Sequence, residues 1–171
     1  MTRPGLDDRE HPPYLRIFRR RLETRVDTLL GAIEWACSDC PDCPETLDLL
    51  NLSLGCTEEG RAPEFAAACT RAHEVGLVIV AAQELSGRPS LPGRLDGVIA
   101  VREDHELEAD AIRYENGVFV ASSWARELPG LPKERNLHGV SLAVAHVTGM
   151  AAVLLAQGVA KSELTDRLAR G

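Results

Sequence analysis

The sequence predicts a single α/β domain built on a mainly parallel sheet, and three observations carry that prediction. Two short runs, Leu77 to Ala82 (Leu-Val-Ile-Val-Ala-Ala) and Val98 to Val101, are apolar throughout, the mark of strands buried on both faces. Between and around them the apolar spacing switches to the helical period, so strands and helices alternate along the chain. From Leu142 to Leu155 only His146, Thr148 and Gly149 interrupt alanine, valine, leucine and methionine, which predicts a helix at the centre of the protein. At 171 residues the chain is long enough to enclose one substantial core.

Taken in order, Met1 to Pro13 is polar and proline-broken and reads as an extended tail, with the domain running from Tyr14 to Gly171. Tyr14 to Phe18 alternates apolar and polar residues, a short strand signal. Leu22 to Ala36 places Leu22, Val26, Leu29, Leu30, Ile33 and Ala36 on one helical face, and Pro41 and Pro44 close it. Leu47 to Leu54 reads as a buried strand, and Glu64 to Glu74 as a second helix stopped by Gly76. Gly117 to Ala121 adds a late strand, and Ser162 to Ala169 a short final helix with serine as its cap.

Composition sets the outer limits. Hydrophobic residues make up 44% and charged residues 26%, the balance of an ordinary globular protein. A net charge of −7 argues against nucleic acid and anionic membrane as partners. The arginines Arg16, Arg19, Arg20, Arg21 and Arg25 cluster near the start, either as a solvated helix face or as a contact for an acidic partner. No signal peptide is recognisable and no apolar run is long enough to span a membrane, so the expected location is the cytoplasm, with the five cysteines reduced or metal-bound.

Three of those cysteines form Cys37-Ser-Asp-Cys40-Pro-Asp-Cys43-Pro, two C-x-x-C steps sharing a central residue. The spacing suits structural zinc, or an iron–sulfur cluster, but needs a fourth ligand. His73, near the end of the Glu64–Glu74 helix, is the better candidate, because Cys56 lies at the far end of the intervening strand. A loop of reduced cysteines, or one disulfide formed on oxidation, is the alternative.

Ser141 stands at the mouth of the apolar helix, where free N–H groups and the positive dipole end converge. The segment His138-Gly139-Val140-Ser141-Leu142-Ala143-Val144-Ala145-His146-Val147-Thr148-Gly149 resembles the nucleophile motif of subtilisin-like serine peptidases, G-T-S-x-A-x-P-H-V-[AT]-G. Further stretches are similar to motifs of that family in the same order: Gly31 to Ala36, Leu50 to Gly55, Val78 to Ala82 and Val98 to Val101. The resemblance implies a three-layer subtilisin-like fold that lacks the early strands, with Ser141 at the nucleophile position. It also implies Ser53, Leu54 and Gly55 as the segment that pairs with an extended substrate.

Departures from the family pattern are equally specific. The aspartate motif D-[ST]-G and the histidine motif H-G-T-x-V-A are absent from the chain. Gln83 and Glu84 stand where the family places the glycine and asparagine of its oxyanion site, and Ala145 replaces the proline before the helix histidine. A carboxylate at that place opposes a developing oxyanion. A serine without a base is a poor nucleophile, and triad loss leaves only about 10³–10⁴-fold catalysis over water. Of the remaining histidines, His146 reads as a packed and hydrogen-bonded core residue and His105 as solvated. His138 is near enough in sequence to approach Ser141 through a turn.

The expected function is therefore a catalytically silent peptidase-like domain that binds a peptide or protein. The alternative is a serine endopeptidase completed by aspartate and histidine from a partner chain, and a third reading makes the fold a scaffold for the cysteine loop. A homodimer contact or a complementing chain would cover the sheet region that the missing strands leave open.

Overall fold

The computed structural model describes residues 24–38, 47–108 and 111–170. The predicted strand at Tyr14–Phe18, the extended tail, Cys40 and Cys43 lie outside them. Helix α1 spans Val26–Cys37, and strand β1 is Leu49–Leu52. Helix α2 runs over Ala62–Glu74 and leads into β2, Val78–Ala82. A small hairpin of β3 (Glu84–Leu85) and β4 (Arg88–Pro89) precedes β5, Val98–Asp104. Strands β6 (Ile112–Glu115) and β7 (Val118–Ser122) follow, then helices α3 (Val140–Ala156) and α4 (Leu164–Arg170).

The sheet has five strands in the order β1-β2-β5-β7-β6. All pairs are parallel except β6 against β7, which forms an antiparallel hairpin at one edge. Strand alternation divides the core in two. Leu50, Leu52, Ile79 and Ala81 turn towards α1 and α2, where Leu29, Ile33, Phe65, Ala68 and Ala72 meet them. Val80, Ala82, Ile99, Val101, Phe119 and Ala121 turn the other way, onto Ala143, Val144, Val147 and Ala151 of α3 and Leu164 and Leu168 of α4. Registers Val80↔Ile99 and Val101↔Phe119 keep each layer continuous across the strands. The α/β prediction thus holds as a three-layer arrangement of helices, sheet and helices.

Several elements differ from expectation in instructive ways. The strand expected over Leu47–Leu54 pairs only from Leu49 to Leu52, so Ser53, Leu54 and Gly55 leave the ladder and form a connection beyond it. Gly55 is required there, because a side chain would strike Ser90 Oγ and the Leu91 carbonyl. The backbone then closes a two-way bridge, Cys56 N to Leu91 O and Leu91 N to Cys56 O, both 2.8 Å. Strands β3, β4 and β6 carried no clear period: they are short and mostly exposed. Ser162 lies in a short 3₁₀ turn before α4 and makes no side-chain cap.

The largest difference concerns α3. Its apolar composition predicts burial all round, yet Ala145, Gly149, Ala152, Val153 and Ala156 are exposed. The helix lies on one face of the sheet, and among the described residues nothing covers its outer side. Val153 is 56% exposed, which marks that side as open rather than grazed.

Candidate functional site

Parallel strands converge their C-terminal ends on one rim, where open α/β sheets place their ligands. On this rim lie Ser53 after β1, Gln83 after β2, His105 after β5 and Ser123 after β7. Helix α3 opens onto the same rim. Gly139 is its N-cap residue with φ +142°, a conformation that L side chains rarely adopt, and no side chain caps the helix. Gly139 N donates to Ser123 O at 2.8 Å, tying the helix mouth to the end of β7.

Ser141 falls in the first turn of α3, one residue inside the helix, and is exposed. Ser53 Oγ lies 3.5 Å from the Ser141 carbonyl and 2.5 Å from Asn51 Oδ1, so the end of β1 meets the helix mouth. The Ser141 hydroxyl makes no hydrogen bond to an imidazole or carboxylate among the described residues. Beyond β2, the Gln83 backbone is engaged on both sides, its N–H donating to Val101 O at 2.8 Å and its carbonyl accepting from Ser90 N at 2.7 Å. Glu84 is exposed and borders a cavity of about 230 Å³ with Arg102, Arg113, Glu103, Asp104 and Val140.

The histidines are arranged otherwise than the sequence suggested. His138 is not turned onto Ser141; its ring packs on Trp124 at a centroid distance of 4.9 Å. His105, expected to be merely solvated, has Nδ1 2.7 Å from the Ser123 hydroxyl, and its ring lies 6.0 Å from those of Trp124 and His138. Trp124 Nε1 donates to the His105 carbonyl at 2.8 Å. Ser123 is fully buried, so this serine–imidazole pair braces the rim and offers no accessible nucleophile. His146, expected to be hydrogen-bonded, has a buried Nδ1 without a partner among the described residues, and the residue borders a cavity of about 590 Å³. None of these through-space relations follows a sequence spacing.

Of the predicted metal ligands, Cys37 and His73 lie among the described residues. Cys37 ends α1 and is half-buried against the α1–α2 core, while His73 is exposed on α2. The described thiol that senses Cys37 is Cys69, which burial foremost, and Cys37 next, pushes up to about 11. Burial also raises Cys37. Among the described residues no group of three or more His, Cys, Asp or Glu side chains is placed to hold a metal ion. No helix of the described residues is long and apolar enough to cross a membrane.

Comparison with known proteins narrows the fold and corrects the family. No family model matches the chain, and no curated protein matches it. Among solved structures it is similar to the prenylagaramide maturation protease PagA, with a TM-score of 0.58 and 20% identity. The likeness covers 84% of this chain and 55% of that one, so the chain spans about half the length of the protein it matches. The assignment to subtilisin-like peptidases does not survive: it finds no support in any family model or curated protein, and the structural likeness carries the fold alone. The physical reason is that buried apolar strands, and a small polar residue where a helix meets a sheet rim, are demands of a layered parallel α/β fold. The matched motifs coincide with those positions. What stands is a three-layer α/β domain similar in fold to part of that protein.

Proposed function

We propose that this chain is a protease-fold domain that holds an extended peptide at the edge of β1, which has no strand partner on its outer side among the described residues, and does not cleave it. The observation that carries the reading is the Ser141 hydroxyl: exposed at the α3 mouth, yet without a hydrogen-bonded base among the described residues. The imidazoles at that rim are engaged elsewhere, His105 by Ser123 and His138 by Trp124. Strand β1 ends the sheet, with Asn51 exposed beside Ser53. An unpaired strand edge recruits an extended chain through backbone hydrogen bonds, without any catalytic group. A neighbour named as a maturation protease supports a peptide as the ligand.

A second reading is a peptidase completed by aspartate and histidine from a partner chain, motivated by Gly139, Ser141 and Ala143 at the α3 mouth. A fluorophosphonate probe, applied to the purified chain and in lysate, separates the two. Silence in both samples is expected; labelling that disappears in Ser141→Ala would establish the completed enzyme instead. Peptide binding is checked with a ligand N-methylated at alternate residues. Strand pairing predicts that one methylation register weakens binding at least about tenfold while the other is tolerated. Equal tolerance of both registers would remove the edge-pairing proposal.

A further inference from the structure

Strand β6 closes the sheet on the side opposite β1, and among the described residues no strand covers its outer edge. The turn that follows it fixes which backbone groups that edge presents. Asn116 and Gly117 have φ of +52° and +85°, a two-residue connection whose flanking residues exchange both hydrogen bonds. Glu115 is therefore bonded to Val118, and Arg113 to Val120, while Ile112 and Tyr114 turn their N–H and C=O groups outward. Side chains alternate along the same strand. Tyr114 packs on Phe119, with ring centroids 4.6 Å apart, yet remains 43% exposed. Arg113 and Glu115 share the other face, Arg113 Nε lying 3.2 Å from Glu115 Oε1.

We propose that this edge pairs with the same edge of a second copy of the chain, antiparallel about a two-fold axis through Tyr114. The order of charges selects the pairing. With the axis at Tyr114, the two Tyr114 residues exchange N–H···O=C bonds, and Arg113 of each copy stands opposite Glu115 of the other. An axis at Arg113 or at Glu115 would set like charges directly against each other, which is destabilising. Charged residues ordinarily protect an edge strand from pairing. In the order Arg-Tyr-Glu they reject the other registers and accept this one. On the opposite face the two exposed Tyr114 rings meet, extending the contact that each makes with Phe119. Two four-residue strands make a small interface, so the dimer belongs to the weak and reversible class. The inference is separate from the peptide-binding reading, because β1 lies at the far side of the sheet.

Sedimentation equilibrium of the full chain, followed up to about 1 mM, should show monomer and dimer in exchange. Arg113→Glu turns both symmetry-related charge pairs from attraction to repulsion and should weaken the dimer about tenfold or more, and Glu115→Arg should do the same. Mixed in equal amounts, the two variants should associate with each other, since every opposed pair is then a carboxylate and a guanidinium. The double variant should dimerise again on its own. On the unsubstituted chain, the Tyr114 amide should gain hydrogen-exchange protection as concentration rises, whereas those of Arg113 and Glu115 are protected within the hairpin at every concentration. That measurement holds even if a variant fails to fold. A chain that stays monomeric, a dimer indifferent to either charge reversal, folded variants that do not associate when mixed, or a Tyr114 amide indifferent to concentration overturns the proposal. Dimerisation without peptide binding would refute only the β1 reading; peptide binding by a strict monomer would refute only this one.

Discussion

At Gly139 the backbone turns into α3 through φ +142°, with no side-chain cap to share the cost. Any residue with a Cβ is strained there by about 1–3 kcal/mol. Gly139→Ala should lower the denaturation midpoint accordingly and loosen the helix mouth, although a Cβ at that place would meet no atom within 4 Å. Gly55 presents the opposite case, a normal conformation with no room, and Gly55→Ala should cost about 1–3 kcal/mol through overpacking against Ser90 and Leu91. Cys69 adds a pH signature. Its folded pKa is raised from 9.0 to about 11, chiefly by burial, so the thiol is more readily ionised in the unfolded chain. The stability it contributes is complete below pH 9 and is lost as pH rises towards about 11. Denaturation midpoints should fall across that window, and Cys69→Ala should flatten the fall. At pH 8 Cys69 should also resist a thiol reagent until the chain unfolds.

Elements reveal which parts of the fold were legible in the chain. Strand β2 and the Val98–Val101 part of β5 announce themselves because they are largely buried on both faces and every residue is apolar, whereas the charged end of β5, Arg102 to Asp104, reaches the rim. Strand β6 is nearly invisible, since Arg113, Tyr114 and Glu115 are exposed at a sheet edge and are held by pairing with β7 rather than by burial. Helix α3 was legible as a helix but misleading as to burial, because composition records what a face tolerates and not what covers it. Its outer residues, Ala145, Gly149, Ala152, Val153 and Ala156, should accept change in the isolated chain. Val153→Gln should shift stability by less than about 0.5 kcal/mol, as expected of an exposed site. A larger loss on thermal or chemical unfolding would show that something covers this side. The candidate site was legible only at Ser141 and the β1 end. The pairings His105–Ser123 and His138–Trp124, and the orphaned His146 nitrogen, arise from strands brought together by the sheet and leave no local trace.

Across the whole molecule the sheet separates two cores, and this separation governs how the rim can be probed. Ile33 is fully buried on the α1–α2 side and Val147 fully buried under α3 on the other, with no neighbour in common among their core clusters. Ile33→Val and Val147→Ala should each destabilise, the first by about 0.5–1.5 kcal/mol. Because the two sites share no partner, their effects should add within about 0.3–0.5 kcal/mol when combined. A larger coupling on denaturant unfolding would mean that strain passes through β2, whose Ile79 and Val80 face opposite layers. Additivity has a functional corollary: Ile33→Val should leave peptide affinity at the rim unchanged. Val147→Ala, packed under α3, should weaken it by letting the helix and its mouth relax. The separation also places the cysteine region and the rim on different layers, Cys37 and Cys69 with α1 and α2, Ser141 and His146 with α3. A modification of the thiols should therefore report on the α1–α2 layer while peptide binding at the rim continues.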